Sequence, residues 1–486
     1  MLLNDILCEI DYELLSGTTD LKIVDIVYDS KLVVPGVVFV CLKGANFDGH
    51  DYVREAKEKG AVAFICEKEI NMSNMTIVKV SDTRICLARM SANFFNHPSK
   101  KLKTIGITGT NGKTTTAFMI KRIIECSGQK CGMIGTIGIF NGNDMLKSKN
   151  TTPESYEIQK ALYLMVNNGC KYAVMEVSSL GLKWHRTSEI FFDCAIFTNF
   201  SEDHISKNEH NTIEEYMACK RLLFDQCALG FSNGDDKVVS SLLSDCECDV
   251  HTYGFSFGED IVAFNQSLVS TPGYLGVTFD VSGAFSGKVN VNLPGKFNVY
   301  NALAAISVCD YLGFSKKDIL CGLNTVKVKG RSEIVDVPGD YTLIIDFAHN
   351  AISMKNFLLT LREYNPNRII TLFGAGGDRS KMRRYDMGKV SGTFSDITVV
   401  TEDNSRTESV EKILCDIESG VQHAGGDYVV IKDRAEAIKY CLKIAKPGDI
   451  IVLAGKGHED YQILKDKTIH FDDREQARKV FAGSVI

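Results

Sequence analysis

The sequence contains no run of about 18 apolar residues, so no membrane-spanning helix is expected. It lacks a basic excess. The formal net charge is −6, whereas a non-specific nucleic-acid binder carries a surplus of Lys and Arg. It also lacks repeated CxxC pairs: the 16 cysteines are scattered singly, with Cys246 and Cys248 as a lone CxC. A thiolate zinc site is therefore not expected, and so many unpatterned thiols point to a reducing compartment. The start, from Met1 to Leu15, has early acids and no basic stretch ahead of an apolar core, unlike an export signal. No internal repeat or low-complexity segment is present. These absences predict a cytoplasmic, soluble, globular chain with no nucleic-acid partner and no membrane span.

What is there fits several α/β domains. At roughly 100–200 residues per domain, 486 residues predict about three. The boundaries fall at 1–100, 101–330 and 331–486. In the first segment, Val37 to Leu42 and Ala61 to Cys66 read as buried strands, and Tyr52 to Lys59 and Cys86 to Phe95 as helices. Asn96 to Lys100, polar and interrupted by Pro98, reads as a linker. In the second, strands are expected at Leu102 to Thr108, Tyr172 to Val177 and Cys194 to Thr198. Helices are expected from Lys113, over Ile213 to Phe224 and over Asn298 to Leu312, with a strand-rich stretch at Ser232 to Asn292. In the third, apolar runs at Tyr341 to Asp346, Ile369 to Phe373, Ile397 to Thr401, Tyr428 to Ile431 and Ile450 to Ala454 alternate with helical stretches. Such alternation predicts largely parallel sheets, which bind ligands at the carboxyl ends of their strands.

The strongest single feature is Ile105-Gly106-Ile107-Thr108-Gly109-Thr110-Asn111-Gly112-Lys113-Thr114-Thr115-Thr116, a strand, a glycine turn and a helix start. Glycines let backbone N–H groups converge on phosphate oxygens, and the helix N-terminus adds its positive end. Lys113 is placed to reach the β/γ-phosphates and the Thr114 hydroxyl to bind Mg²⁺. The leading glycine of the general phosphate-loop pattern falls at Ile107. The loop alone predicts a nucleotide, not a reaction.

The segment TGTNGKTTT resembles the phosphate loop of the Mur ligase family and of its relative, folylpolyglutamate synthetase. Matching segments follow in order: Glu176-Val177-Ser178-Ser179, Thr198-Asn199 with Asp203-His204, Lys220, Asn298 with Asn301, Gly330-Arg331, Asp346-Phe347-Ala348-His349, and Gly374 to Arg379. Others resemble the ligases of the family that add the third peptide residue. These are Asp29-Ser30-Lys31, Asp48-Gly49-His50, Asn150-Thr151-Thr152-Pro153, Asp403-Asn404-Ser405-Arg406, Ala454 to Glu459, and Phe471 to Arg474. The resemblance runs from about Asp29 to Arg474. It implies an α/β, three-domain architecture: an N-terminal UDP-binding domain, a central phosphate-loop ATPase domain and a C-terminal Rossmann-like domain.

The implied reaction has two steps. ATP phosphorylates a carboxylate of a UDP-muramoyl dipeptide, and the amine of an incoming amino acid then attacks the acyl phosphate. Phosphoryl transfer needs in-line positioning and cancellation of charge. By resemblance, ATP is held by Gly109, Thr110, Asn111, Gly112, Lys113, Thr114 and Thr115, with Asn298, Arg331, Asp346 and His349. Glu176 and His204, with Thr114, are expected to bind Mg²⁺. Lys220 is expected to be carbamylated by CO₂ and to lie near a second Mg²⁺. Ser30 is assigned to the UDP moiety, and Thr151, Thr152, Ser178 and Arg186 to the muramoyl peptide. Arg379, Asn404, Arg406, Gly455 and Glu459 are assigned to the amino acid. An Arg pairs a carboxylate and Glu459 an ammonium. Arg406 therefore favours meso-diaminopimelate, which has a distal carboxylate, over L-lysine, which has none. A monomer that closes its domains around the substrates is expected.

The sequence departs from the family pattern in places. Ser405 stands where proline is usual and removes a fixed φ. Leu180 replaces a histidine, Ile205 to His210 replaces another segment, and Asn350-Ala351 follows His349. The same chemistry with L-lysine or another amine is the main alternative. A folate-type ligase, a non-catalytic nucleotide-binding module and a simple phosphate-loop switch fit fewer of the segments.

Overall fold

The computed structural model describes residues 1–44, 47–202, 209–271 and 273–482. Asp203 and His204, expected near the metal, lie outside them. By internal contacts the chain forms two compact units, Met1–Val262 with Leu303–Ile319, and Ala263–Ala302 with Leu320–Ile486.

The first unit contains two sheets. Strands β1 (Glu13–Ser16), β2 (Ile26–Val27), β3 (Val38–Val40), β4 (Ala63–Cys66) and β5 (Thr76–Lys79) pair in the order β1-β5-β4-β3-β2. Only the β1–β5 pair is antiparallel. The helix expected from Cys86 starts at Thr83, because the Asp82 carboxylate accepts from the Arg84 and Ile85 N–H groups and caps it earlier. The expected linker is instead a short 3₁₀ turn, Pro98–Lys101, with Pro98 and Ser99 buried. His97 at φ +46° tucks the chain back against the unit.

The second sheet places the phosphate loop. Strands β6 (Lys103–Thr108), β7 (Cys131–Gly135), β8 (Gly138–Phe140), β9 (Met145–Leu146), β10 (Tyr172–Glu176), β11 (Phe192–Phe197), β12 (Cys227–Asn233) and β13 (Asp249–Gly254) run in the order β13-β12-β11-β6-β10-β7-β8-β9. All pairs from β13 to β7 are parallel. Ile107 of β6 pairs with Glu176, and Thr108 pairs with Phe197. Gly109, Glu176 and Thr198 therefore emerge at one carboxyl edge. The stretch expected to be strand-rich also contains a helix, Lys237–Leu243, which Asp236 caps and whose Val239 and Leu243 are buried. The helix expected over Ile213 to Phe224 ends at Arg221 and gives way to a 3₁₀ turn, Phe224–Gln226.

β14 (Ile261–Thr271), β15 (Tyr274–Gly283) and β16 (Gly287–Val291) precede the helix Phe297–Tyr311; the division between the units falls after Val262 in β14 and after Ala302 in this helix. The rest of the second unit follows Ile319. Strands β17 (Glu333–Val335), β18 (Thr342–Asp346), β19 (Ile369–Phe373), β20 (Ile397–Val400), β21 (Tyr428–Val430) and β22 (Ile450–Ala454) form a sheet in the order β17-β18-β22-β19-β20-β21, parallel except at β17. Alternate residues serve opposite faces. Ile344, Phe373, Val400 and Val452 pack in one core with Leu358 and Ile417. Leu343, Leu372, Val399 and Leu453 pack in the other with Ile438 and Ala477. This two-sided burial explains why the strands read as continuous apolar runs.

A buried ion pair locks the end of this unit. Arg434 donates from Nε to Asp473 Oδ1 at 2.8 Å and from Nη2 to Oδ2 at 2.7 Å, both side chains being enclosed. Asp473→Ala leaves that guanidinium buried without its counter-ion. The expected cost is about 3–5 kcal/mol, read as a lower denaturant midpoint; an unchanged midpoint would contradict it.

Candidate active site

The phosphate loop is shaped by two glycines. Gly109 has φ +135° and Gly112 has φ +85°. A Cβ on Gly109 would lie 2.0 Å from Thr198 Oγ1, so the close approach to the neighbouring strand end requires glycine there. Gly112 caps the helix Lys113–Cys126. Thr115 sits in its first turn. Asn199 ties the loop down: its Oδ1 accepts from Asn111 N–H at 3.0 Å, and its Nδ2 donates to Asn111 O at 3.1 Å. Thr110 Oγ1 donates to Ser201 O at 3.1 Å. Lys113 Nζ donates to Gly109 O at 2.7 Å and to Thr110 O at 3.0 Å. Lys220 Nζ, buried at 1% exposure, donates to the same Gly109 O at 2.8 Å and lies 4.6 Å from the centre of the Tyr216 ring. Two cations thus converge on one carbonyl of the loop.

Glu176, only 1% exposed, is the hub of the adjoining edge. Its Oε2 accepts from Thr114 Oγ1 at 2.7 Å and from Thr136 Oγ1 at 3.1 Å, and its Oε1 accepts from Thr136 N–H at 3.0 Å. Thr136 also hydrogen-bonds Thr151 at 3.0 Å. Thr152 Oγ1 donates to Glu176 O and accepts from Ser178 N–H, both at 2.9 Å. Arg186 donates to Thr152 O at 2.9 Å and pairs with Glu154 at 2.7 Å. Ser178 Oγ caps the helix Ser179–Lys183. The structure therefore gathers Thr114, Thr151, Thr152, Glu176, Ser178 and Arg186 into one network. Among the described residues no group of three or more His, Cys, Asp or Glu is arranged to hold a metal ion. The side-chain atoms that meet the Glu176 carboxylate are the hydroxyl oxygens of Thr114 and Thr136. That suits Mg²⁺, which takes one or two carboxylates and completes its shell with water and phosphate.

Three residues here had no motif to announce them. Thr136 follows the apolar strand β7 and bridges Glu176 to Thr151. Glu154 pairs both Arg186 and Arg84, the latter at 3.2 Å. Trp184, the single tryptophan of the chain, has the Arg84 guanidinium 4.3 Å and that of Arg186 5.3 Å from its ring centre. Its uniqueness was the one available signal. Trp184 and Arg84 line a cavity of about 350 Å³ with Lys43, Gly44, Glu67, Asp82 and Thr83. Ser30 is buried in a 3₁₀ turn capped by Asp29, and its carbonyl accepts from Lys59 Nζ at 3.0 Å.

The second unit carries the remaining candidates. Both oxygens of Asp346 are engaged by backbone: Oδ2 accepts from Ser332 N–H at 2.7 Å and Oδ1 from Ala348 N–H at 2.8 Å. Burial raises the Asp346 carboxyl above its ordinary value, against these N–H groups and Arg331. Asp346 thereby fixes the turns that present Arg331 and His349. Arg331 lies 4.9 Å from the Phe347 ring centre. His349 Nδ1 donates to Phe347 O at 2.8 Å, and burial keeps this imidazole below its usual value. Asn298 donates to Pro294 O at 2.8 Å and accepts from Asn301 at 2.9 Å.

Asp403, Asn404, Lys456 and Glu459 form a compact charged group. Lys456 Nζ, fully buried, lies 3.2 Å from Asp403 and 3.6 Å from Glu459. Asn404 Nδ2 donates to Glu459 at 3.0 Å, and Asn404 Oδ1 accepts from Ile463 N–H at 2.8 Å. Burial and the Asp403 charge push the Glu459 carboxyl up. Burial acts the same way on Asp403, but Lys456 and Arg434 outweigh it and hold that carboxyl low. Glu459 is thus the less firmly charged of the two acids, 3.6 Å from the Lys456 ammonium. Gly455, at φ +101°, keeps backbone close to Asp403. Arg406, after Ser405, takes φ +50°, and its Nη1 donates to Gly377 O at 2.7 Å. Arg379 is exposed.

His458 is a pH-sensitive neighbour. Burial and the charges of Arg331, Lys329 and Arg474 push its pKa down to about 4, against about 6.5 in an unfolded chain. The fold favours neutral imidazole, so this contribution is complete above about 6.5 and is lost as pH falls toward about 4. His458→Gln is expected to flatten the fall of the urea midpoint over that window. An equally steep fall in the variant would remove His458 from the account.

Residues 22–108 match the catalytic domain model of the Mur ligase family, 107–309 its middle domain and 330–457 its glutamate ligase domain. A protein of Clostridium acetobutylicum named UDP-N-acetylmuramoyl-L-alanyl-D-glutamate–2,6-diaminopimelate ligase 1 is 42% identical over 98% of each chain. A Clostridioides difficile protein of the same name, without the number, is 38% identical over 99% of each. A solved structure of such a ligase superposes with a TM-score of 0.70 at 27% identity, covering 100% of this chain and 99% of the other. A Thermotoga maritima MurF ligase solved with ADP shares the fold, with a TM-score of 0.59 at 19% identity, covering 94% of this chain and 97% of the other. The chain belongs to the Mur ligase family.

Proposed function

We propose that this protein is the ATP-dependent ligase that adds meso-diaminopimelate to UDP-N-acetylmuramoyl-L-alanyl-D-glutamate. The observation that carries the reading is its agreement over nearly the full length with relatives of that name. The Asp403–Asn404–Lys456–Glu459 group and Arg406 support it, since they offer an acid for an ammonium and a cation for a carboxylate. No helix among the described residues is long and apolar enough to cross a membrane. We place the chain in the cytoplasm, as a monomer of three domains at 1–100, 101–330 and 331–486.

In this reading the glycine turn and Lys113 hold the ATP phosphates. Lys113 leaves the Gly109 and Thr110 carbonyls to do so. Thr114 and Glu176, with His204, hold Mg²⁺, which cancels phosphate charge when bound. Arg331, Asp346, His349 and Asn298 hold the rest of the nucleotide. Thr151, Thr152, Ser178 and Arg186 orient the dipeptide carboxylate, with Arg186 steadied by Glu154. Ser30 holds the UDP moiety. Arg379, Asn404, Arg406, Gly455 and Glu459 orient the amine.

Lys220 has two readings. Carbamylated, it supplies an anion for the metal; native mass measurement should then show one added CO₂ that is lost in acid. Unmodified, its bond to Gly109 O braces the loop as an ammonium, and Lys220→Arg then keeps activity.

The overall test is phosphate release with ATP, Mg²⁺ and the UDP-muramoyl dipeptide, comparing meso-diaminopimelate, L-lysine and L-ornithine. Diaminopimelate should stimulate release. No stimulation by any amine would overturn the assignment.

A further inference from the structure

Outside these groups the first unit holds a contact cluster of three sulfurs. Cys227 Sγ lies 3.6 Å from Cys248 Sγ, and Cys248 Sγ lies 3.9 Å from Cys246 Sγ. All 16 cysteines are reduced in this structure. Cys227 opens β12, and Cys248 stands one residue before β13. These strands are parallel neighbours, with Leu229 opposite Asp249. The helix Lys237–Leu243 lies in the crossover between them. A single thiol buried beside a strand is usually a small hydrophobe. Three linked through Cys248, two of them partly exposed and only Cys227 enclosed at 4% exposure, are a different arrangement.

We propose that this cluster is an oxidation site, in which Cys248 forms a reversible disulfide with Cys227 on exposure to a peroxide. Cys248 is the central sulfur, in contact with both others, and is partly accessible. Cys227 is its nearer partner. Cys246 is farther and only two residues away in sequence, so a Cys246–Cys248 bridge would close a very small ring against the narrow geometry that disulfides require. Burial and the adjoining sulfur push the Cys246 thiol up to about 11; burial likewise raises Cys227. A raised thiol is less ionised, so neither is the first to attack the peroxide; Cys227, once it gives up its proton, is the more intrinsically nucleophilic thiolate toward the oxidised neighbour.

The chemistry balances with hydrogen peroxide as the oxidant. The Cys248 sulfur attacks one peroxide oxygen, the O–O bond breaks, and water leaves once protonated, giving a sulfenic acid. The Cys227 sulfur then attacks the Cys248 sulfur, the S–O bond breaks, and a second water leaves. Two thiols have lost two hydrogens, and the peroxide has become two waters. A thiol reductant reverses the linkage by exchange. Cytosolic disulfides of this kind are usually transient and redox-sensing.

The test treats the purified full-length protein with hydrogen peroxide, blocks remaining thiols with an alkylating reagent, and maps peptides without reduction. A peptide pair joined through Cys227 and Cys248, lost on dithiothreitol treatment, is expected. It should persist in Cys246→Ser and vanish in Cys248→Ser. A Cys246–Cys248 bridge in the unsubstituted protein would overturn the pairing. Full alkylation of all three after unfolding, with the exposed Cys8, Cys321 and Cys415 oxidised, would overturn the site.

Discussion

Lys113→Ala should lower dipeptide-dependent phosphate release by about 10³-fold, the scale for removing a preorganised cation from developing phosphoryl charge. The expectation rests on position. Lys113 begins the helix at the glycine turn, and its ammonium already lies over the turn, on the Gly109 and Thr110 carbonyls. The variant should fold, because Lys220 still donates to Gly109 O. The measurement is single-turnover phosphate release with a parallel nucleotide-binding titration. A fall of less than about tenfold would show that Lys113 does not meet the transferring phosphate.

The second large effect concerns which amine is accepted. Arg406→Ala should lower kcat/KM for meso-diaminopimelate by about 10²-fold, consistent with losing a charge-assisted contact of about 1.5–3 kcal/mol. Its effect on L-lysine should be small, because lysine has no distal carboxylate to lose. The loop supports this role. Ser405 bonds Glu402 at 2.8 Å, and the Arg406 N–H bonds Ile463 O at 3.1 Å. Arg406 is held at φ +50° by these contacts. The readout is the ratio of kcat/KM for the two amines. An equal fall for both would assign Arg406 to loop structure instead of recognition.

Much of this fold was legible because its signals are local. Ile369–Phe373 and Ile450–Ala454 are strands at their expected limits, since strands buried on both faces read as unbroken apolar runs. The helix at Lys113 begins where the glycine turn ends. Less local features were missed. Lys237–Leu243 has the Val-Val-Ser-Ser of a strand, and its Asp236 cap and its packing decide for helix. Pro98 and Ser99 look like linker residues, yet tertiary contacts bury them.

At the site, motif residues were legible and their supports were not. Lys113, Thr114 and Glu176 stand in recognisable segments. Thr136, Glu154 and Trp184 acquire meaning only when the sheet brings strand ends together. The same holds for Lys456, whose place in AGKGHE gave no sign that it would be buried between Asp403 and Glu459. That group sets a raised carboxyl, Glu459, beside the buried Lys456 ammonium.

The most direct test offers the protein ATP, Mg²⁺, the UDP-muramoyl dipeptide and an equimolar mixture of meso-diaminopimelate, L-lysine and L-ornithine, and weighs the product. The account predicts a tripeptide nucleotide carrying diaminopimelate as the dominant product. A product carrying lysine or ornithine, or none while ATP still binds, would contradict it.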